Sequence, residues 1–492
     1  MDLRHHMFVL GALVNATAGA MLIPFCFDMA MGAGQWWVFL QSAAIVGFIG
    51  TLLMIASRER IPSLNLRQAL LLTVLIWVTM GAVGTVPFLV APLDLSLAGA
   101  FFESMSGITT TGSTVLTGLD QIQPGVLLWR AMLQWLGGVG IVVMALSVLP
   151  ALQVGGMQLF RTEAFEQSEK MLPRAGEIAT AVLGVYGLIT AGGFLMLLVA
   201  GMGPFDALTH AMTAIATGGY STHDASIGYF QSASIDLAVI VLMILGSLPF
   251  VAFFRLRSLD FQSLIYDSQI RLFFFVLLGA IALMVTALLT REILPLGAAI
   301  QQASFNVVSI MTGTGFSTSN YESWGIFATL IVFLIMFIGG CAGSTTCGIK
   351  VFRFQVLFGH ALVQLRTMLQ PSGVFKLTFH GKTVSEAAVS SVTTFFVLFT
   401  STTLVLALFL GLCEPRFDLS GALVSAATSV ANVGPALGGL ILQDGTASSV
   451  GPAGTFAQVN DTAKALMSVG MLLGRLELLT VMALFLPALW RD

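Results

Sequence analysis

The chain has 492 residues, of which 57% are hydrophobic and only 9% charged, with a formal net charge of −3. Soluble domains carry roughly 25% charged residues, so a chain with this surface chemistry and a mean hydropathy of +0.93 is an integral membrane protein, not a soluble enzyme. The near-neutral balance also excludes a nucleic-acid-binding surface.

In chain order, apolar runs long enough to cross a bilayer cover residues 7–27, 36–57, 68–90, 125–149, 176–202, 235–255, 272–290, 324–349, 387–412 and 462–489, ten spans in all. The first lacks a small-residue cleavage site and is read as a helix that stays in the protein. Four shorter apolar stretches, 95–108, 205–216, 296–311 and 418–430, fall between spans and each runs into glycine and hydroxyl residues. They are too short to cross a hydrocarbon core of about 30 Å. With the N-terminus inside, the inner segments hold 16 of the 21 Lys and Arg residues. That bias predicts two cytoplasmic termini and makes all four short stretches enter from outside. The outer loops are acidic, with Asp94, Asp120, Asp206, Asp224, Asp236, Glu292, Glu322, Glu414 and Asp418, and such vestibules concentrate cations. Cys26, Cys341, Cys347 and Cys413 lie in apolar surroundings without zinc-type spacing and read as small buried residues.

The four short stretches align on one glycine each: Gly112, Gly219, Gly315 and Gly434, at intervals of 107, 96 and 119 residues. Twelve positions before each stands an alanine (Ala100, Ala207, Ala303, Ala422), and six before a hydroxyl (Ser106, Thr213, Ser309, Thr428). Four before stands an apolar residue (Ile108, Ile215, Met311, Val430). Four columns in one register define a repeat: span, half-helix dipping in, glycine turn, span. The predicted organisation is two extra helices (1–65) and then four units, 66–150, 151–258, 259–384 and 385–492. Irregular backbone at membrane depth is tolerated where protein or a water-filled cavity satisfies it. Four such loops around one axis would pave that cavity. Half-helix C-termini and carbonyls freed by glycine would face a cation there.

The stretches GITTTGSTVL (107–116), AIATGGYSTHDAS (214–226), IMTGTGFSTSNY (310–321) and TSVANVGPALG (428–438) resemble the four filter loops of the Trk/Ktr/HKT potassium transporter superfamily. The two extra N-terminal spans, GGCAGSTTCGIK (339–350) and GRLE (474–477) are similar to the bacterial TrkH branch. The resemblance implies an all-α membrane protein with a pseudo-fourfold, potassium-channel-like pore. It implies K⁺ uptake across the bacterial inner membrane, a homodimer set in lipid, and a cytosolic regulatory ring of the TrkA or KtrA type. This chain has no nucleotide motif and needs no cofactor of its own, so ATP, ADP or NAD(H) is expected on that ring. The implied ion-binding residues are Thr110, Thr111 and Gly112; Thr217, Gly218 and Gly219; Gly313, Thr314 and Gly315; and Asn432, Val433 and Gly434. None of the loops has the TVGYG of dedicated potassium channels, and Pro435 sets the fourth apart, so K⁺ and Rb⁺ should pass with modest discrimination against Na⁺. The extra glycine of TGTGFST would loosen the third wall.

Four glycines in ten residues, Gly339, Gly340, Gly343 and Gly348, make a continuous helix costly. With Ser344 and Thr345 they predict a gating loop over 339–350 below the filter. Arg475, placed inside the last span, is implied to stand at the pore beside that loop, as an electrostatic barrier or as a partner of loop carbonyls. Lys350, Arg353, Arg366, Lys376 and Lys382 would form a basic inner surface for the ring, and residues 365–384 a short extended pair. The rival function is a proton- or sodium-coupled symporter, for which Glu103, His210 and Glu477 are the titratable candidates at membrane depth. No HExxH, GxSxG or P-loop motif supports an enzyme.

Overall fold

The structure, a computed structural model, describes residues 4–57, 66–147, 175–256, 265–379, 382–441, 447–452 and 454–490. The expected unit boundaries near 65, 150 and 258 lie outside the described residues, as do Arg58, Arg60, Arg161, Lys170, Arg174, Arg257 and Arg491 of the inner charge count.

The fold is helical. Among the described residues, seven helices are long and apolar enough to cross a membrane: Arg4–Ala30, Trp37–Ala56, Arg67–Val90, Pro124–Leu146, Ala179–Val199, Ser268–Thr290 and Glu386–Cys413. The remaining three expected spans are broken helices, each for a local reason. Ala233–Ser247 stops where Leu248 turns extended ahead of Pro249, and Phe250–Leu256 follows; a residue before proline is pushed out of the helical region. Ile326–Ile335 is ten residues long, and the chain from Met336 to Lys350 leaves the helix before Val351–Leu369 resumes it. Asp461–Arg475 ends at Arg475, and Glu477 has a left-handed φ of 55°. Arg475 therefore closes its helix and does not sit within a continuous span.

The four short stretches are helices: Leu97–Ile108, Pro204–Ile215, Leu296–Met311 and Leu419–Ala431. Ser96 and Asp418 cap the first and last by accepting from Gly99 and Gly421 N–H groups. In three of the four units the helix that follows the short helix packs against the short helix of the next unit. Pro124–Ser147 meets Pro204–Ile215, Ala233–Ser247 meets Leu296–Met311, and Asp461–Arg475 returns to Leu97–Ile108. The last contact joins the end of the chain to its first unit, and Ser96 donates to Asp461 across it at 2.7 Å. Two small antiparallel pairs complete the fold: Thr378–Phe379 with Lys382–Thr383, where an extended pair was expected, and Gly439–Ile441 with Ala447–Ser449. Residues 365–369, expected in the inner loop, belong to the helix Val351–Leu369.

The first two helices pack on each other and reach the body of the protein through Leu66–Gly84, Val86–Val90 and Pro124–Ser147. Buried Asp28 accepts from the Gly125 N–H at 2.7 Å, capping that helix from a different segment. Gly125 leaves the room, since a Cβ there would collide with the carboxylate. Asp28→Ala is expected to lower stability in detergent by about 0.5–2 kcal/mol, the usual worth of a helix cap. Asp28→Asn, which keeps the acceptor, should lose less of it in the same thermal unfolding assay.

Candidate functional site

Each short helix ends in the same way. Two residues before each aligned glycine the backbone is left-handed: Thr110 (φ 52°), Thr217 (50°), Gly313 (69°) and Asn432 (52°). The next N–H reaches back to the hydroxyl column of the repeat. Thr111 N–H donates to Ser106 O, Gly218 to Thr213 O and Thr314 to Ser309 O, each at 2.9 Å, and Val433 to Thr428 O at 3.1 Å. This Schellman-type closure satisfies the last turn and lifts the chain off the helix axis. A non-glycine residue in that conformation costs roughly 1–2 kcal/mol. The extra glycine of the third loop is thus explained: Gly313 takes without strain the position that Thr110, Thr217 and Asn432 hold under strain.

The aligned glycines have φ of 87°, 79°, 87° and 104°, and they need glycine for a second reason. A Cβ on Gly112 would overlap the carbonyl oxygen of Gly218, on Gly219 that of Thr314, and on Gly315 that of Val433. On Gly434 it would stand 2.6 Å from Thr111 O. The loops therefore close on one another in cyclic order, first to second to third to fourth to first. All four glycines line one cavity of about 60 Å³. Thr110, Thr111, Thr217, Thr314, Asn432 and Val433 are buried. The join between fourth and first loops is made by Ser113 donating to Gly434 O (2.7 Å) and Asn432 Nδ2 donating to Thr111 Oγ1 (2.8 Å) and Met471 O (2.9 Å).

Behind this ring lies an ion pair that the sequence did not single out. Arg130 Nε donates to Glu103 Oε1 at 2.8 Å, with both side chains buried. The guanidinium also donates to Ser221 O (2.9 Å) and Thr114 Oγ1 (3.2 Å), and lies 4.0 Å from the Tyr220 ring centre. Glu103 further accepts from Val115 N–H (2.8 Å), and Tyr220 donates its hydroxyl to Glu103 O (2.8 Å). First and second loops are thereby held by one charge pair. The readable signal was a buried-depth acid in a short helix and an arginine in a span, each needing a partner. His210 is tied by Nδ1 to Asp206 O (2.8 Å) and by Nε2 to Ser221 Oγ (2.9 Å). At an exposed position a hydrogen bond from His223 holds the Asp120 carboxyl below the usual carboxylate range.

On the other side of the ring lies the loop 339–350. Gly343 and Gly348 have φ of 74° and 69°. Gly339 and Gly340 sit against the backbone oxygens of Cys347 and Ser247, where a Cβ would collide. Thr345 Oγ1 donates to Ile215 O (2.9 Å) or Gly246 O (2.8 Å) and accepts from Thr217 Oγ1 (3.2 Å). Cys347 Sγ is 3.7 Å from Thr110 Oγ1. Ser344 Oγ donates to Cys341 O at 2.6 Å, folding the loop on itself. Cys341 and Cys347 are free and buried, whereas Cys26 is exposed and Cys413 half-buried. Arg475 donates to Thr345 O (3.2 Å) and Gly137 O (3.1 Å) and touches Cys347 Sγ. Gly474 lets its helix rest against Val430 O. Glu477 pairs with Arg353, which lies 3.7 Å over the Phe395 ring. Lys350 Nζ is buried against Thr346. Lys350 and Arg353 are therefore interior, and the expected basic inner surface reduces, among described side chains, to Arg366 and Lys376.

Seven apolar spanning helices around a ring of four glycine loops, held from within by buried charge pairs, describe a multi-pass helical membrane transporter. A family model described as a cation transport protein, TrkH, matches residues 37–491. The chain belongs to the TrkH family of cation transport proteins. It is 40% identical over 486 residues to the Trk system potassium uptake protein TrkI of Halomonas elongata, covering 98% of this chain and 96% of that protein. It is 35% identical to TrkH of Escherichia coli strain K12, covering 98% of both. The crystal structure of the potassium transporter TrkH from Vibrio parahaemolyticus matches with a TM-score of 0.90 at 33% identity, over 100% of both chains.

Removing one member of the buried pair leaves an uncompensated charge, which costs about 3–5 kcal/mol. Arg130→Met and Glu103→Leu should each unfold the protein at a markedly lower temperature. The double variant should recover much of the loss in the same assay. Additive losses would show that the two side chains act independently.

Proposed function

We propose that this chain carries K⁺ into the cell through a carbonyl-lined filter built from the four loops. The carrying observation is the cyclic closure of Thr111, Gly218, Thr314 and Val433 carbonyls against the aligned glycines. Carbonyl rings replace the hydration shell of an alkali ion, and the C-terminal ends of the short helices add partial negative charge toward it. The relatives named above are potassium uptake proteins. The four span–half-helix–span units then form a pseudo-fourfold pore of ten spans, counting the three broken helices as crossings. Both termini are cytoplasmic in the bacterial inner membrane, the protein is a homodimer, and a TrkA- or KtrA-like ring that binds ATP, ADP or NAD(H) regulates it.

The loop 339–350 acts as the gate in this reading, because Thr345 and Cys347 touch the innermost hydroxyls of the filter, those of Thr217 and Thr110. Arg475 holds the loop through Thr345 O and places a positive charge on the ion path. Conduction is favoured over proton coupling because the titratable candidates are engaged: Glu103 by Arg130, Glu477 by Arg353 and His210 by two hydrogen bonds.

Rb⁺ uptake into liposomes holding the purified chain tests the reading. Uptake should occur without a proton gradient and change little when one is imposed; strict dependence on the gradient would establish a symporter. Gly112→Ser should crowd Gly218 O and narrow the gap between K⁺ and Na⁺, while unchanged Na⁺ entry would remove Gly112 from the filter. Arg475→Gln, which loses the charge and keeps a shorter polar side chain, should raise flux. Lower flux from a stably folded variant would contradict a barrier role.

A further inference from the structure

Gln134 lies in the helix Pro124–Ser147, one turn beyond Arg130, and is fully buried. Its carboxamide grips the second filter loop at two points. Nε2 donates to Gly218 O at 2.6 Å, and Oε1 accepts from Tyr220 N–H at 3.0 Å. These atoms flank Gly219, so the side chain spans the turn. The residue before the aligned glycine is Thr111, Thr314 or Val433 in the other loops and Gly218 in this one. A Cβ on Gly218 would stand 2.4 Å from the Gln134 carboxamide carbon. The amide therefore occupies the space that the other three loops fill with their own side chains.

We propose that Gln134 is a specificity-determining positioning residue: it stands in for the missing side chain of Gly218 and fixes the orientation of one of the four ion-facing carbonyls. This deepens the filter reading above and rests on it. Gly218 and Gly219 are consecutive glycines, the least restrained pair of residues in the ring. Unbraced, their shared peptide would turn at little cost and the ring would lose the size discrimination that a fixed carbonyl gives. A carbonyl oxygen has two lone pairs, so accepting from Gln134 leaves one for the ion. The second loop is thus shaped from outside by a side chain of the first unit.

The test compares Na⁺ and Rb⁺ uptake by the full chain in liposomes. Gln134→Met keeps the volume and loses both hydrogen bonds. It should raise Na⁺ entry relative to Rb⁺ by about three- to tenfold, the effect of one ordinary hydrogen bond on an equilibrium, with Rb⁺ uptake largely retained. An unchanged ratio in a transport-competent variant would overturn the proposal. Gly218→Thr alone should collide with the amide and depress Rb⁺ uptake. Combined with Gln134→Ala it should recover uptake and selectivity, because the slot is emptied for a side chain carried by the loop itself. A double variant no better than Gly218→Thr would overturn the proposal even if Gln134→Met fails to fold. Absence of Rb⁺ uptake by the unaltered chain would instead reject the filter reading on which the proposal depends.

Discussion

A polypeptide that leaves the helix inside a bilayer must satisfy its N–H and C=O groups within the protein, because lipid offers no partners. Here that happens four times at one level. At each site the chain first closes its helix with a left-handed residue and a backbone bond to the hydroxyl column. It then lays a glycine against the carbonyl of the neighbouring loop. Neither step would leave a stable loop alone, since the turn exposes carbonyls that need company. The four loops supply each other, and much of the surrounding architecture serves to bring them together.

The surroundings divide into two kinds of support. On one side the supports are buried side chains: the Glu103–Arg130 pair, the Tyr220 ring over the guanidinium and the Gln134 amide all bind first and second loops into one piece. On the other side the contacts come from hydroxyls, thiols and backbone of the loop 339–350. Thr345 and Cys347 reach Thr217 and Thr110 of the ring, and Arg475 reaches them.

The arrangement of loops was legible because glycine, alanine and hydroxyl residues recur in register at Gly112, Gly219, Gly315 and Gly434. Periodic apolar length gave the spanning helices, but not their breaks. Leu248–Pro249 carried a readable proline signal, whereas the helix end at Arg475 is marked by little besides Gly474. Glu103 and Glu477 were visible as acids at depth, yet their partners Arg130 and Arg353 were not. Glu103 and Arg130 are 27 residues apart and Arg353 and Glu477 are 124 apart, and such partners meet only through the fold. Lys350 and Arg353 read as inner-surface cations because composition cannot separate a buried lysine from a solvated one. Gln134 was invisible for a similar reason: a polar residue in a span acquires meaning from the glycine it faces.

The ring itself is most directly tested by anomalous diffraction from crystals of the protein grown in RbCl. Rubidium density should lie on the axis shared by the carbonyls of Thr111, Gly218, Thr314 and Val433, within coordination distance of all four loops. Excess NaCl added to the RbCl crystals should leave most of that anomalous density in place. Rubidium bound elsewhere, with the ring empty, would contradict the account.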